Sequence, residues 1–195
     1  MTVDNAVARI RNIIESETTA YFSDAELQEF IKMGVDEFIQ QYYMAFETTQ
    51  DARDKLSNLV ISKEQSLQDS APVLLSDLGG DDTYGRFLSA YVKSTPNVNL
   101  KVIQISDISA YLNDPFNKAD SSNPVIYFKE KQINTLGLST ATTCVVTYMN
   151  YTTSLLKLNV STHEEVCQIA SRKVLATLGD PRYQILQAEI SERRV

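Results

Sequence analysis

STHEEVCQIASRKVLATLGDP, residues 161–181, decides how the end of the chain is read. It opens on the only His of the sequence, His163, and places Cys167 four residues later. That spacing puts two metal ligands on one helix face, as in the H-E-x-x-H pattern of zinc hydrolases. A zinc site needs three or four ligands, however, and this stretch supplies two. The remaining ligands of a metal-dependent hydrolase would have to come from Cys144, Asp or Glu. The same residues read more simply as the entry of a helix. Ser161 or Thr162 stands at the cap, Glu164 or Glu165 completes a capping box, and both Glu favour the positive end of the helix dipole. Val166, Ile169, Ala170, Val174 and Leu178 then recur at helical spacing. Gly179 occupies the position after the last turn, and Asp180-Pro181 begins a further helix through Tyr183, Ile185, Leu186 and Ile190.

Working back from this end, the residues over 86–151 change period. RFLSAYVK (86–93) and NLKVIQI (99–105) alternate and are joined by a turn at STPN. SDISAYLNDPF (106–116) reads as one or two helical turns capped by Ser106 or Asp107 and stopped at Pro115. PVIYFKEKQI runs as a strand from 124 to 133 before a turn at Asn134–Gly137. TTCVVTYMNY (142–151) is a strand rich in β-branched and aromatic residues. This predicts an antiparallel β insert of about four strands. The preceding stretch, 62–85, has little periodicity and reads as a long connecting loop with at most one short strand.

The N-terminal third is helical. Val3, Val7, Ile10, Ile13 and Ile14 form a stripe over 3–17. Ser23 and Glu26 form a capping box with Phe22 before it, and Leu27, Phe30, Ile31, Val35, Phe38, Ile39, Tyr42 and Phe46 carry one long helix over 24–47. Gly34 in its middle costs about 1 kcal/mol against Ala, so it marks a close helix crossing. A third helix follows over 50–61. The predicted fold class is therefore α+β: N- and C-terminal helices (1–61 and 158–195) forming a helical bundle, with a small antiparallel sheet (86–151) inserted after the loop at 62–85.

Composition narrows function. With 195 residues, 43% of them apolar, the chain can bury a real core. A net charge of -7 disfavours wrapping nucleic acid, although it suits a wall that DNA slides past. Two Cys do not make a disulfide framework, and a reducing cytoplasm is the default. No signal peptide and no membrane span is visible. There is no P-loop, G-x-S-x-G elbow or dinucleotide fingerprint, so neither an enzyme nor a cofactor is expected. Two features suggest a partner surface. Tyr42, Tyr43 and Phe46 close the long helix and serve either as core or as an interface patch. Arg193, Arg194 and Val195 end the chain, either as a solvated tail or as a dock for an acidic groove.

VVTYMNY (145–151) followed by LNVSTHEEVCQIASRKVLATLGDPRYQ (158–184) resembles the head-to-tail adaptor proteins of short-tailed phages, the tail tubular protein A type, and the ring proteins of crAss-like phages. In that family a strand leads through a short loop to a helix beginning near H-x-E-I-V-x-x-A and ending before G-D-x-R. His163, Glu165, Val166, Ala170, Gly179, Asp180 and Arg182 match that pattern, and the Pro that often ends the strand is absent. Asp114-Pro115-Phe116 is similar to an N-P-F turn in the insert. The resemblance covers nearly the whole chain as a layout. It implies a structural virion protein assembled in the bacterial host cytoplasm: a homo-oligomeric ring, usually of twelve copies, below the portal protein. Such a ring extends the DNA channel without specific DNA binding and connects to a further tail ring or tail fibres. A soluble scaffold or regulatory module that binds one protein is the alternative from another class, and the His163–Cys167 hydrolase is the third reading.

Overall fold

The Ser23 side chain accepts from the Glu26 N–H at 3.3 Å, and the Glu26 carboxylate accepts from the Ser23 N–H at 2.8 Å, closing the capping box that starts the longest helix. The computed structural model describes residues 1–14, 22–79 and 84–179. These residues form a mixed α+β chain with two small four-stranded sheets, divided into two compact units. One unit is made of Met1–Leu59 and Thr152–Val195, and the other is the intervening stretch Val60–Tyr151.

The first unit contains α1 (Val3–Ile14), α2 (Asp24–Ala45), α3 (Gln50–Leu56) and α6 (His163–Leu178). Each amphipathic helix buries its stripe: Ala6, Val7, Ile10 and Ile14 on α1, Leu27, Ile31, Val35 and Phe38 on α2, and Val166, Ile169, Ala170 and Val174 on α6. Phe22, ahead of the cap, packs edge-on against Phe30 at 5.6 Å. Helix α6 makes its most extensive contacts with α2 and then with α1. At Gly34 the backbone of α2 lies close against α6. A Cβ there would lie 3.1 Å from the Val166 carbonyl oxygen and 3.3 Å from the Ala170 Cβ. The expected crossing is thus present. Gly179 has φ of 67° and ends α6 in the left-handed conformation expected after a helix. The third helix is shorter than its expected 50–61, because a single 3₁₀ turn at Ser57–Leu59 hands the chain to a strand. The further helix predicted from Asp180 lies outside the described residues.

The second unit corrects three expectations. The stretch 62–85, read as a connecting loop, contains β1 (Val60–Leu67), β2 (Val73–Leu74) and a short helix α4 (Leu75–Gly79). Strand β1 was invisible because its middle is polar on both faces and only Ile61 and Leu67 near its ends reach the core. Ser62, Glu64 and Ser66 share one face, and Lys63 and Gln65 share the face of Val146 and Cys144, their direct partners on β8 (Thr142–Asn150). The insert is not one antiparallel sheet over 86–151 but two sheets beginning at Val60. The first has the order β1-β8-β3-β4, with β3 spanning Tyr84–Val92 and β4 Val98–Asn99. The second has the order β2-β7-β6-β5, with β5 at Lys101–Val102, β6 at Val125–Lys129 and β7 at Gln132–Leu136, and β5 pairs parallel to β6. Finally, the strand expected to run to 133 turns at Glu130–Lys131. Both residues have positive φ, 53° and 60°, as a two-residue hairpin requires. With no Gly or Asn at either position, that turn had no sequence signal.

The two sheets share one core. Cys144, Val146 and Tyr148 of β8 meet Ile126 of β6 and Ile133 of β7, and Phe87 packs on Phe128 at 5.1 Å between ring centres. The Tyr148 hydroxyl donates to the Leu78 carbonyl at 2.7 Å, and the Lys63 ammonium donates to the Asp77 and Leu78 carbonyls at 2.6 and 3.0 Å. Together they hold α4 over the sheet. The Asp69 carboxylate accepts from the Thr135 hydroxyl and the Gly137 and Leu138 N–H groups, each at 3.0 Å, which fixes the β7–β8 turn. From Gln104 to Asn123 the chain makes an excursion that includes α5 (Ile108–Asn113), a helix with no buried residue. The predicted cap residue Asp107 stands at its N-cap, although its side chain makes no capping bond.

Candidate functional site

The entry of α6 is the stretch where sequence chemistry concentrates, and folding uses each of its polar residues. Thr162, one of the two predicted cap residues, stands at the N-cap of α6, but its side chain makes no capping bond. The chain enters through a 3₁₀ turn, Val160–Thr162, whose first N–H groups are served by Asn159: its side-chain oxygen accepts from the Ser161 N–H at 3.2 Å. Thr162 is already helical in φ and ψ, and its hydroxyl donates to the Asn159 carbonyl at 2.7 Å. Neither Glu164 nor Glu165 turns back to close a box.

Both Glu reach other helices instead. Glu164 takes a bidentate pairing from Arg9 of α1, with Nη2 at 2.5 Å and Nε at 3.0 and 3.1 Å. Glu165 accepts from the Tyr42 hydroxyl at 2.6 Å and pairs with Lys55 of α3 at 3.2 Å. The Lys55 ammonium also donates to the Tyr42 oxygen at 2.6 Å, pairs with Asp51 at 3.1 Å and lies 4.2 Å from the centre of the Tyr42 ring. Burial works against the Lys55 charge, but the bonds to Tyr42, Asp51 and Glu165 outweigh it and raise its pKa. Tyr42 is raised as well, first by burial and then by its bond to Glu165. Two turns further along α6, Arg172 and Lys173 both pair with Glu37 of α2, Lys173 at 2.7 Å. Burial raises the Glu37 carboxyl, and the two cations more than reverse that, leaving it below its ordinary value. Helix α6 is thereby tied by charge to α1, α2 and α3.

His163 and Cys167 face inward. His163 is 2% exposed, its Nε2 lies 3.4 Å from the Leu158 carbonyl oxygen, and its Nδ1 is buried without a partner. Burial lowers its pKa. Cys167 and Cys144 are fully buried and free, and burial pushes both thiols up to about 11, far from the thiolate a nucleophilic role requires. Among the described residues no three His, Cys, Asp or Glu side chains gather as a metal set would.

The aromatic residues at the end of α2 do not act as one group. Tyr42 packs on Phe38 at 4.7 Å and gives its hydroxyl to Glu165, so its place is structural. Tyr43 and Phe46 are half-buried on either side of Met44, which is 80% exposed. Arg53 closes this end of the helix by donating to the Phe46 and Glu47 carbonyls at 3.0 and 2.7 Å. Arg193, Arg194 and Val195 lie outside the described residues.

Sequence reasoning missed Arg9, Glu37, Asp51, Lys55, Arg172 and Lys173 as a set. Asp51 and Lys55 stand four apart on α3, but no short-range pattern links Arg9, Glu37, Lys55, Arg172 and Lys173 to partners more than a hundred positions away. It also passed over Phe116, whose only signal was the Asp-Pro-Phe turn. Phe116 is 93% exposed. Its N–H donates to Asp114 at 2.9 Å and the Asn117 amide donates to the same carboxylate at 2.8 Å, so an ordered turn presents an aromatic ring to solvent. These bonds, that from Phe116 first, hold the Asp114 carboxyl below its ordinary range. No described helix is long and apolar enough to cross a membrane. No protein-family model matches the chain, and no curated protein matches it.

Proposed function

We propose that this chain is a structural adaptor of a phage head-to-tail junction, not an enzyme. In this reading the N-terminal helices and the C-terminal helices build one helical bundle, the β region is an insert in it, and copies join side by side in a ring below the portal. The ring lengthens the DNA channel and gives the next tail component its seat. The observation that carries the reading is the chain layout. Helices α1, α2 and α6, drawn from both ends of the sequence, pack on one another within one unit, and the whole β unit lies between them in the chain. The segment 145–184, which resembles the adaptor family, spans the return from β to helix. The charge of -7 fits a channel wall that repels DNA, so that the genome passes without adhering. The C-terminal residues Glu192–Val195 dock on the portal. The site chemistry agrees, because the one His and both Cys are buried and each acidic residue at the α6 entry is paired.

Electron microscopy of the purified protein tests the reading. Rings of uniform rotational symmetry are expected, and particles of the same diameter should lie at the neck of the corresponding virions. A protein that stays monomeric at high concentration and is missing from virions would overturn it.

A further inference from the structure

The β unit carries a depression of about 370 Å3 between the stretch 111–121 and the turn at 136–139. That is near the lower end of the size range of small-molecule sites, with room for one ring-sized ligand. Its walls are fixed to one another. The Ala119 N–H donates to the Tyr111 carbonyl at 3.0 Å. Gly137 lies so close to Asp120 that a Cβ there would stand 2.6 Å from the Asp120 carbonyl oxygen. The fold uses part of the polar lining and leaves the rest unspent. Asp69 accepts from Thr135, Gly137 and Leu138, and Asp120 accepts through Oδ1 from the Ser122 and Asn123 N–H groups at 2.8 and 2.9 Å. The Lys118 ammonium, Asp120 Oδ2 and the Ser121 and Ser139 hydroxyls belong to lining residues and have no hydrogen bond or ion pair among the described residues. We infer that this cavity binds a neutral sugar residue.

Charge narrows the ligand by exclusion. The lining carries both signs, two carboxylates and one ammonium. The carboxylates oppose a phosphate or a carboxylate, and the ammonium opposes a metal ion or an organic cation. A neutral molecule escapes both penalties, but it must donate and accept to use the groups left free. Hydroxyls do both, so neighbouring hydroxyls of one molecule can donate to Asp120 and accept from Lys118. The rest of the lining asks for an apolar surface as well. Tyr111, Leu112, Ala119 and Leu136 supply it, and the Lys101 ammonium, 5.3 Å from the centre of the Tyr111 ring, steadies that ring. A pyranose meets both demands in one molecule, with hydroxyls around its rim and C–H groups on its faces. Those C–H groups are weakly positive and favour the face of an aromatic ring. Because the walls are already locked together, little ordering is required when the ligand enters. The site rests on the β unit alone and goes beyond the ring assembly proposed above.

The test is saturation-transfer NMR on the full-length protein with the methyl glycosides of glucose, galactose, mannose and N-acetylglucosamine at millimolar concentration. At least one glycoside should receive saturation, and the 6-phosphate and 2-amino derivatives of the same sugar should bind more weakly. A disaccharide ending in that sugar separates the two sources: tighter binding than the glycoside identifies a glycan end, and equal binding the single residue. Lys118→Ala should weaken binding about tenfold, the loss expected for a hydrogen bond to a charged group. Its far-UV circular dichroism should not change, because the ammonium has no partner in the fold. Ser139→Ala removes a second free hydroxyl and should weaken binding too. No signal from any glycoside, tighter binding of the phosphate or the amine, or binding that neither substitution alters would overturn the inference. Rings that form without sugar binding would sink this inference and spare the adaptor reading. Sugar binding by a protein that forms no rings would do the reverse.

Discussion

The helical unit and the β unit solve the same problem with different materials. In the helical unit, apolar stripes make the core and charged groups stitch its rim: Glu164 to Arg9, Glu165 to Tyr42 and Lys55, and Glu37 to Arg172 and Lys173. In the β unit the buried polar contacts are mainly to backbone. Tyr148 and Lys63 bind carbonyls of α4, and Asp69 binds N–H groups of a turn. Side-chain pairs that link helices from distant parts of the chain can be broken one at a time by substitution. Side-chain bonds to backbone keep one partner whatever is mutated. The comparison therefore predicts an uneven response to single changes.

The largest effect should come from Gly34→Val. A branched side chain has no room against the Val166 carbonyl and Ala170, so α2 and α6 must separate, at about 3 kcal/mol by urea unfolding. Glu165→Ala comes next, at about 2 kcal/mol, since it leaves the partly buried Tyr42 hydroxyl without its acceptor and takes from Lys55 one of its two carboxylates. If Glu165→Ala proves no worse than loss of a surface pair, the stitched-rim picture of the helical unit fails.

Acid should act on the same unit. The folded-state pKa of His163 lies below its ordinary 6.5, so the unfolded chain binds that proton first. Its contribution is whole above pH 6.5 and is lost as the pH falls through the folded-state value. The slope for one proton is at most about 1.4 kcal/mol per pH unit. His163→Asn should flatten the stability profile below about pH 6.5. Glu37, also lowered, acts in a separate window, because its contribution fades only below 4.5. Tyr148→Phe in the β unit should cost about 1 kcal/mol, as the Leu78 carbonyl keeps its bond from Lys63. Smallest of all, Lys93→Ala removes an exposed pair with Glu64 and should leave the unfolding midpoint where it was.

Legibility in the sequence followed the same division. Stripes on α1, α2 and α6 repeat every three or four residues and bury one face, so those helices, the Ser23–Glu26 cap, the Gly34 crossing and the Gly179 stop could be read from spacing. Strand β1 could not. An edge strand buries little, and the charge at Lys63 interrupts its alternation. The Glu130–Lys131 turn has no glycine to announce it. At the α6 entry the residue types were right for a cap and were used for something else. Thr162 stands at the N-cap without a capping bond, Asn159 caps the 3₁₀ turn before it, and both glutamates pair with other helices. Pairings between distant positions leave no local trace, and this is why the rim of ion pairs emerged only with the fold.

Lys63 has one more consequence. Strand β1 is an eight-residue edge without a bulge, the kind of border onto which another strand can add. Its middle carries an ammonium on the core-facing side, committed to two carbonyls of α4. A foreign strand extending the sheet would have to accommodate that charge and pull against its anchorage. An inward-turned charge of this kind is one of the devices by which edge strands avoid adding to one another.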